Sequence, residues 1–381
     1  MLKSAYRNHV ARTRRNALRM HIAKTWVWEL REIIRKRHIW GKISWSKSQQ
    51  REFDEYWRLH YGRTIPNWWH RLYQAFNGEF RVDYVPEAFY STKIEPRLVD
   101  YGYARVFEDK FFSPWILPYI ADSSVVSPCI YLARSKGTYY GVDHRPMSMG
   151  AALRQALNIG ASVLKPSTGS SSGKSISMLD IRQGKDINSG RPLEEIIAST
   201  KGDFLIQECI IPHASFAKLH PSSINTIRVI TYIYEGELHH APLSMRIGVG
   251  DSRFDNIHSG GISVGVSDSG CLQPTGYRLG YTDCLDSYNA HPDTGVVFAQ
   301  CKLPCIPEMV SAAEQLHRGL PHVGIASWDL TCDKNGRIVL VEVNLRGQSI
   351  WFPQILNKVS IFGADTSKFV KLAAIKLFRE E

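Results

Sequence analysis

Apolar positions recur near the start of the chain at Leu18, Ile22, Trp26, Leu30 and Ile33. The steps of four, four, four and three place them on one side of a helix. Arg12, Arg14, Arg15, Arg19 and Arg31 fall largely off that stripe, so residues 1–40 are predicted to form a basic amphipathic helix. An aromatic stretch follows, with Trp57, Tyr61, Trp68, Trp69, His70 and Tyr73, punctuated by Pro66 and Gly78. These rings read either as packed core or as a platform for stacking sugars. From about Asp109 the texture changes to alternating strands and helices. Residues 161–165 and 204–211 read as apolar strands. Three turn signals then each divide a pair of strands: Glu235-Gly236 between 226–234 and 238–247, Asp268-Ser269-Gly270 after 262–266, and Asp333-Lys334-Asn335-Gly336 between 324–331 and 337–343. The tail, 366–381, reads as a terminal helix. Repeated hairpins with helices between them predict an α+β fold with antiparallel sheets.

Composition adds three constraints. Hydrophobic residues make up 44% of the 381 positions and charged residues 22%, the balance of a soluble globular chain that can bury two or three cores. No apolar run approaches the roughly 18 residues that span a bilayer, and the first residues lack the apolar core of an export signal, so the expected location is the cytoplasm. The seven cysteines are scattered, and Cys301 and Cys305 form a lone C-x3-C, which points to reduced buried thiols rather than a zinc site. The net charge is +11, and residues 1–58 hold 15 Lys and Arg against 5 Asp and Glu. That arm therefore carries nearly all of the excess. It reads as a solvated helix face or as the partner of something anionic: a membrane surface, a lipid-linked sugar, or nucleic acid. No nucleic-acid-binding motif accompanies the charge.

The sharpest chemical pattern is SWDLTCDKNGRIVLVEVN. Glu342 and Asn344 are two apart on one strand and share a face, and the hairpin folds Asp329 back toward them. Two carboxylates and an amide oxygen are hard ligands that suit Mg²⁺, or Mn²⁺, together with nucleotide phosphates. Incidental acids on an exposed hairpin are the plainer reading. In ASVLKPSTGSSSGKSIS a strand delivers Lys165 to a small-residue loop, Ser167, Thr168, Gly169, Ser170, Ser171, Ser172 and Gly173, whose N–H groups can cradle phosphates. Gly169 and Gly173 enclose three residues, one short of a Walker A loop. A plain Ser/Gly linker stays open. Gln207, Glu208 and Ile210 lie where the strand FLIQECIIPH turns, and such a turn can meet adenine and ribose. Asn225 and Arg228 lie in the apolar segment SINTIRVITYI, where an Arg fits either a phosphate or carboxylate ligand or a structural ion pair.

Together these segments resemble the ATP-grasp superfamily. Asp329, the thirteen-residue step to Glu342, and Glu342-x-Asn344 match the magnesium motif of D-alanine–D-alanine ligases and their relatives. VLKPS with the loop after it matches the family's phosphate-contacting Lys and flexible lid. EDKFFSPWIL looks like the upstream Asp-Lys segment, which places Lys110 on the phosphates. YVPEAFYSTKIEPRL, HPSSINTIRVITY, RFDNIHSGGISVGV and HPDTGVVF resemble the sugar-transfer-associated branch, so the likeness covers roughly residues 80–365. The chain departs from the family at the hinge, which reads Gln207-Glu208-Cys209-Ile210 where many relatives have Glu-x-hydrophobic.

The resemblance implies two α+β lobes gripping ATP behind an N-terminal helical, basic extension, divided as 1–95, 96–206 and 207–381. It further implies a ligase that activates a carboxylate as an acylphosphate and joins it to an amine, with ATP and Mg²⁺, in glycan or surface-polysaccharide modification. Phosphoryl transfer by a grasp-fold kinase and non-catalytic anion binding are the alternatives. Lys165, Arg228 and Arg346 are then the catalytic cations. Asn225, Arg228, Asp255, Asn256, Gly260, Gly261 and Arg346 are the expected substrate contacts.

Overall fold

The computed structural model describes residues 2–121, 123–169, 176–257, 260–280 and 285–377. A long helix, α1 (Leu2–Arg35), opens the chain, and a one-turn helix, α2 (Arg37–Trp40), follows it. Next come α3 (Lys47–Tyr61) and α4 (Trp68–Asn77). Ser46 and Gln49 form a reciprocal capping box at the start of α3, and Gly62 ends the helix at φ 83°, a left-handed conformation open to glycine. Trp57, Trp69, His70 and Tyr73 are buried, so the aromatic stretch is core. Trp69, Leu72 and Tyr73 pack with Trp351, Phe352 and Ile355, which fixes the N-terminal helices to the helix Trp351–Asn357.

The apolar stripe of α1 differs from the expected one. Residues Leu18, Ile22 and Leu30 are half-buried and Ile33 is buried, but Trp26 is 51% exposed. Each step of four advances a helical stripe by about 40°. Two steps of four from Leu18 carry Trp26 about 80° round the helix, off the covered line. The covered line runs instead through Leu18, Ile22, Thr25, Glu29 and Ile33.

Two antiparallel sheets follow. The first contains β1 (Ile130–Ser135), β2 (Thr138–Tyr140), β3 (Pro146–Met147), β4 (Gly160–Pro166), β5 (Ser177–Arg182), β6 (Lys185–Asp186) and β7 (Phe204–Glu208), in the order β3-β2-β1-β7-β4-β5-β6. Leu132, Leu164, Ile181, Phe204 and Ile206 pack under it with Leu193, Ile196 and Ile197. The second contains β8 (Ile227–Tyr234), β9 (Glu237–His240), β10 (Leu243–Ile247), β11 (Ile262–Val266), β12 (Leu272–Tyr277), β13 (Ser287–Tyr288), β14 (Ile325–Cys332) and β15 (Ile338–Asn344). Its order is β13-β12-β11-β10-β8-β14-β15, with β9 also paired to β8. The three expected hairpins are all present.

One strand and one helix are shorter than the sequence pattern predicts. The strand from Phe204 stops at Glu208 rather than Ile211, because the next residues bond to the other sheet: Ile211 O accepts from Lys334 N and Cys332 O from His213 N. The terminal helix runs only from Thr366 to Ala374. Cys301 and Cys305 do not meet each other. The Cys305 and Cys332 thiols lie 3.3 Å apart instead.

Candidate functional site

The β14–β15 hairpin forms one end of the second sheet, and every residue of β14 is buried. Asp329 stands directly opposite Glu342, and Ser327 opposite Asn344, so the three expected ligands share one face. The register slips after Asp329, where Leu330 pairs with Leu340 and Val341 is left over. This bulge turns Val341 into the cleft beside Glu342, so the valines do not simply alternate with the polar pair.

Asp329 is deeply engaged. Arg228 donates to both of its oxygens, Nε to Oδ1 and Nη2 to Oδ2, each at 2.9 Å. Arg246 Nη2 lies 2.9 Å from Oδ2, and Asn344 Nδ2 donates to the same oxygen at 3.2 Å. Burial alone raises the carboxyl's pKa, but the two guanidinium groups outweigh it and hold the group below the ordinary carboxylate range. Arg246 emerges on the same face because Ser244 of β10 pairs with Arg228 of β8. Its guanidinium also receives support from Thr226 Oγ1 at 2.8 Å. Burial lowers its pKa, and Asp329, Asp255 and Glu342 together more than restore it.

Two lysines face the hairpin. Lys110 Nζ pairs with Glu342 Oε1 at 2.9 Å, and its backbone N donates to Ser167 O at 2.8 Å. Lys165 ends β4 with only 6% of its surface exposed. Burial lowers its pKa to about 8; Glu342 opposes that shift and Lys110 adds to it. Ser167 is buried, and Thr168 and Gly169 are exposed. Ser170, Ser171, Ser172 and Gly173 lie outside the described residues.

These groups line one cavity of about 820 Å³ between the sheets. Lys110, Lys165, Gln207, Glu208, Ile210, Arg228, Asp255, Asn256, Asp329, Glu342 and Asn344 all contribute to its wall. Val163, Ile176 and Met178 make an apolar patch on the side of the first sheet. Glu208 is tied to Cys129, whose N–H donates to Oε2 at 3.2 Å. Asp255 Oδ2 accepts from Thr226 N at 2.7 Å and from its hydroxyl at 2.5 Å.

Four expected substrate contacts sit elsewhere. Asn225 is fully buried with φ 58°. Its amide donates to Phe216 O and His220 O and accepts from Ser223 Oγ, which makes it a loop-stitching residue. Gly261 is placed by backbone packing, since a Cβ there would meet Asn256 O at 2.9 Å. Gly260, at φ 95°, completes the same turn and does not line the cavity. Arg346 turns away from the cavity to Glu108, with Nε donating to Oε2 at 2.8 Å and Nη2 closer still. Its neighbour Gly347 lines the cleft.

Glutamates hold that stretch from below, and sequence reasoning missed them. Glu108 Oε1 accepts from Leu345 N at 2.9 Å and Arg346 N at 3.0 Å, Glu95 Oε1 from Gly347 N at 2.7 Å, and Glu87 Oε2 from Trp351 N at 3.2 Å. Burial pushes Glu95 up to about 7, partly offset by the Gly347 and Tyr101 hydrogen bonds, and raises Glu87 well above its usual value.

The donor set fits a hard cation. Glu342 uses Oε1 for Lys110 and Asn344 uses its amide nitrogen for Asp329, which leaves Glu342 Oε2 and Asn344 Oδ1 without a hydrogen-bond or ion-pair partner among the described residues. Among those residues there is no cluster of three or more His, Cys, Asp or Glu suited to a metal.

The family model described as sugar-transfer associated ATP-grasp matches residues 90–369. The chain belongs to that family. The ATP-grasp fold is shared with solved structures of low sequence identity. An L-amino acid ligase from Bacillus licheniformis is 15% identical, with 66% of this chain and 43% of that one covered at TM-score 0.35. The VanG D-Ala:D-Ser ligase from Enterococcus faecalis is 14% identical, covering 72% and 63% at TM-score 0.41. D-alanyl-alanine synthetase A from Vibrio cholerae O1 is 15% identical, covering 71% and 65% at TM-score 0.41. The chain thus spans less than two thirds of the length of each. No curated protein matches the sequence. Among the described residues, no helix of this ATP-grasp chain is long and apolar enough to cross a membrane.

Proposed function

We propose that this chain is an ATP-dependent carboxylate–amine ligase that modifies a glycan or lipid-linked sugar. The supporting observation is the cavity itself. Lys110, Lys165, Asp329, Glu342 and Asn344 line one cavity of about 820 Å³, so cations suited to a triphosphate and oxygens suited to its metal share one wall. Residues 96–206 and 207–381 act on this reading as the two gripping lobes, and residues 1–95 as an appended basic unit.

Glu342, Asn344 and Asp329 would hold Mg²⁺, which would neutralise charge on the phosphates. Lys110 and Lys165 bind phosphate oxygens. A substrate carboxylate oxygen attacks the γ-phosphorus, the bond to the β-phosphate oxygen breaks, and ADP leaves. The amine nitrogen then attacks the acyl carbon, phosphate leaves, and the nitrogen gives up a proton. Arg228 and Arg246 stabilise the negative charge that develops beside Asp329. Arg346, clamped by Glu108, positions the Gly347 segment and does not touch substrate.

The test is a screen of sugar acids against amines with ATP and Mg²⁺, with hydroxylamine as a trap. ADP, inorganic phosphate and a hydroxamate are the expected products. A stable phosphorylated product without free phosphate would instead establish a phosphotransferase.

A further inference from the structure

The outward face of α1 is built differently from the face that packs on the body. Met20, Val27 and Ile34 are 59%, 42% and 53% exposed, and Trp26 and Trp28 are 51% and 52% exposed. At about 100° per residue, Met20, Val27 and Ile34 fall within about 40° of one another, and the two tryptophans lie about 100° to either side of Val27. The result is an apolar ridge with an indole on each shoulder. Arg12, Arg14, Lys24 and Arg31 are exposed around it. The helix has only two acidic residues, Glu29 and Glu32, and neither opposes that charge. Glu29 is buried enough for its pKa to rise to about 7, and Glu32 pairs with Arg35 and Lys36 at 2.8 and 3.5 Å.

We propose that this face docks α1 in the plane of a bilayer surface rich in anionic lipid. The ridge enters the boundary between headgroups and acyl chains, the tryptophans sit at headgroup level, and the lysine and arginines meet lipid phosphates. Nucleic acid would use the cations but leave the apolar ridge without a role. A second copy of the chain would cover the ridge but set like charges against each other. The helix itself packs on residues 87–94, with Ile33 buried, so it docks without leaving the body. The inference does not depend on the ATP chemistry. Either can fail while the other stands.

The test is co-sedimentation of the full-length chain with vesicles of phosphatidylcholine alone and of equal parts phosphatidylcholine and phosphatidylglycerol. Binding is expected to the anionic vesicles alone and to weaken with salt. Lys24→Glu with Arg31→Glu should reduce it about 30-fold, at about fivefold per basic residue. Met20→Ser, Val27→Ser and Ile34→Ser together should reduce it about 100-fold. Both variants alter exposed positions and should melt like the parent, and their ATP turnover without vesicles should be unchanged. Absence of pelleting at low salt overturns the proposal, as does equal pelleting with both vesicle types. Retention of binding by both variants also overturns it. A dimer that the serine variant dissociates, or a nucleic-acid complex formed in place of vesicle binding, would reassign the face to that partner.

Discussion

Replacing Lys165 by Met removes a charge and keeps most of the side chain's volume, so it isolates what the buried ammonium does. In the free chain, burial brings the lysine pKa from 10.5 to about 8, which corresponds to about 3 kcal/mol against the charged form. That cost is fully present below pH 8 and fades as pH rises toward 10.5. The variant should therefore be more stable than the parent at pH 7 by an amount approaching that figure, with the difference shrinking between pH 8 and 10.5. ATP reverses the balance, because a triphosphate beside the ammonium restores the charged form. The parent should take up about 0.1 proton per ATP bound at pH 7, about 0.5 at pH 8 and about 0.9 at pH 9. Titration calorimetry in buffers of different ionisation enthalpy reads this number directly, and the Met variant supplies the baseline for protons taken up by ATP itself. A difference between parent and variant that stays flat from pH 7 to 9 would refute the argument. So would a variant less stable than the parent.

Three further outcomes follow from the same geometry. Glu342→Gln should abolish ADP formation and also lower stability, by about 1–3 kcal/mol, since it leaves buried Lys110 without its partner at 2.9 Å; turnover equal to the parent's would remove Glu342 from the metal site. Arg246→Met should cost about 3 kcal/mol in urea denaturation at neutral pH, by leaving buried Asp329 with one guanidinium fewer. Because Asp329 contributes stability that is lost as pH falls below its ordinary value of 3.8, the variant should lose less than the parent on acidification. Glu95 is protonated more readily in the folded chain, with a pKa near 7 against 4.5, so its contribution favours folding below pH 4.5 and declines as pH rises to 7. Glu95→Gln should flatten that part of the melting-temperature profile, and an unchanged slope would assign it to Glu29 or Glu87.

The parts of this molecule that sequence made legible are those set by local rules. Turn residues placed all three hairpins, and the period of two placed Glu342 and Asn344 on one face, where Asp329 meets them. What escaped depends on register and on contacts between distant segments. Arg246 sits in an apolar strand just as Arg228 does, but only the pairing of β8 with β10 brings both to Asp329. Arg346 looked like a free cation after the metal strand because Glu108, which holds it, lies 238 residues away. Asn225 looked polar and available, yet its left-handed backbone and four buried partners give it a structural task. Trp26 was drawn onto the packed stripe by steps of four that overshoot the helical period.

The pairing of charges in the cleft explains how a site so rich in ionised groups can stay folded before any nucleotide arrives. Asp329 is fixed: four hydrogen-bond donors from three side chains hold it, and breaking them would leave a buried carboxylate unpaired, at several kcal/mol. Glu342 and Lys110 are bound less tightly, by a single contact at 2.9 Å. Each satisfies the other across the gap between the hairpin and the segment that carries Ser167. On the proposed reading, these two residues have only to change partners when substrate enters. Lys110 would turn to a phosphate oxygen, and Glu342 would be released to the cation that accompanies it. Neither charge is stranded at any stage, so the desolvation cost already met in the free chain is not incurred again. Lys165 differs, since no counter-ion holds it within 4 Å among the described ion pairs, and its lowered pKa records that. The free energy stored in that one unpaired lysine is available to binding, and it is the quantity that the proton-uptake measurement reads.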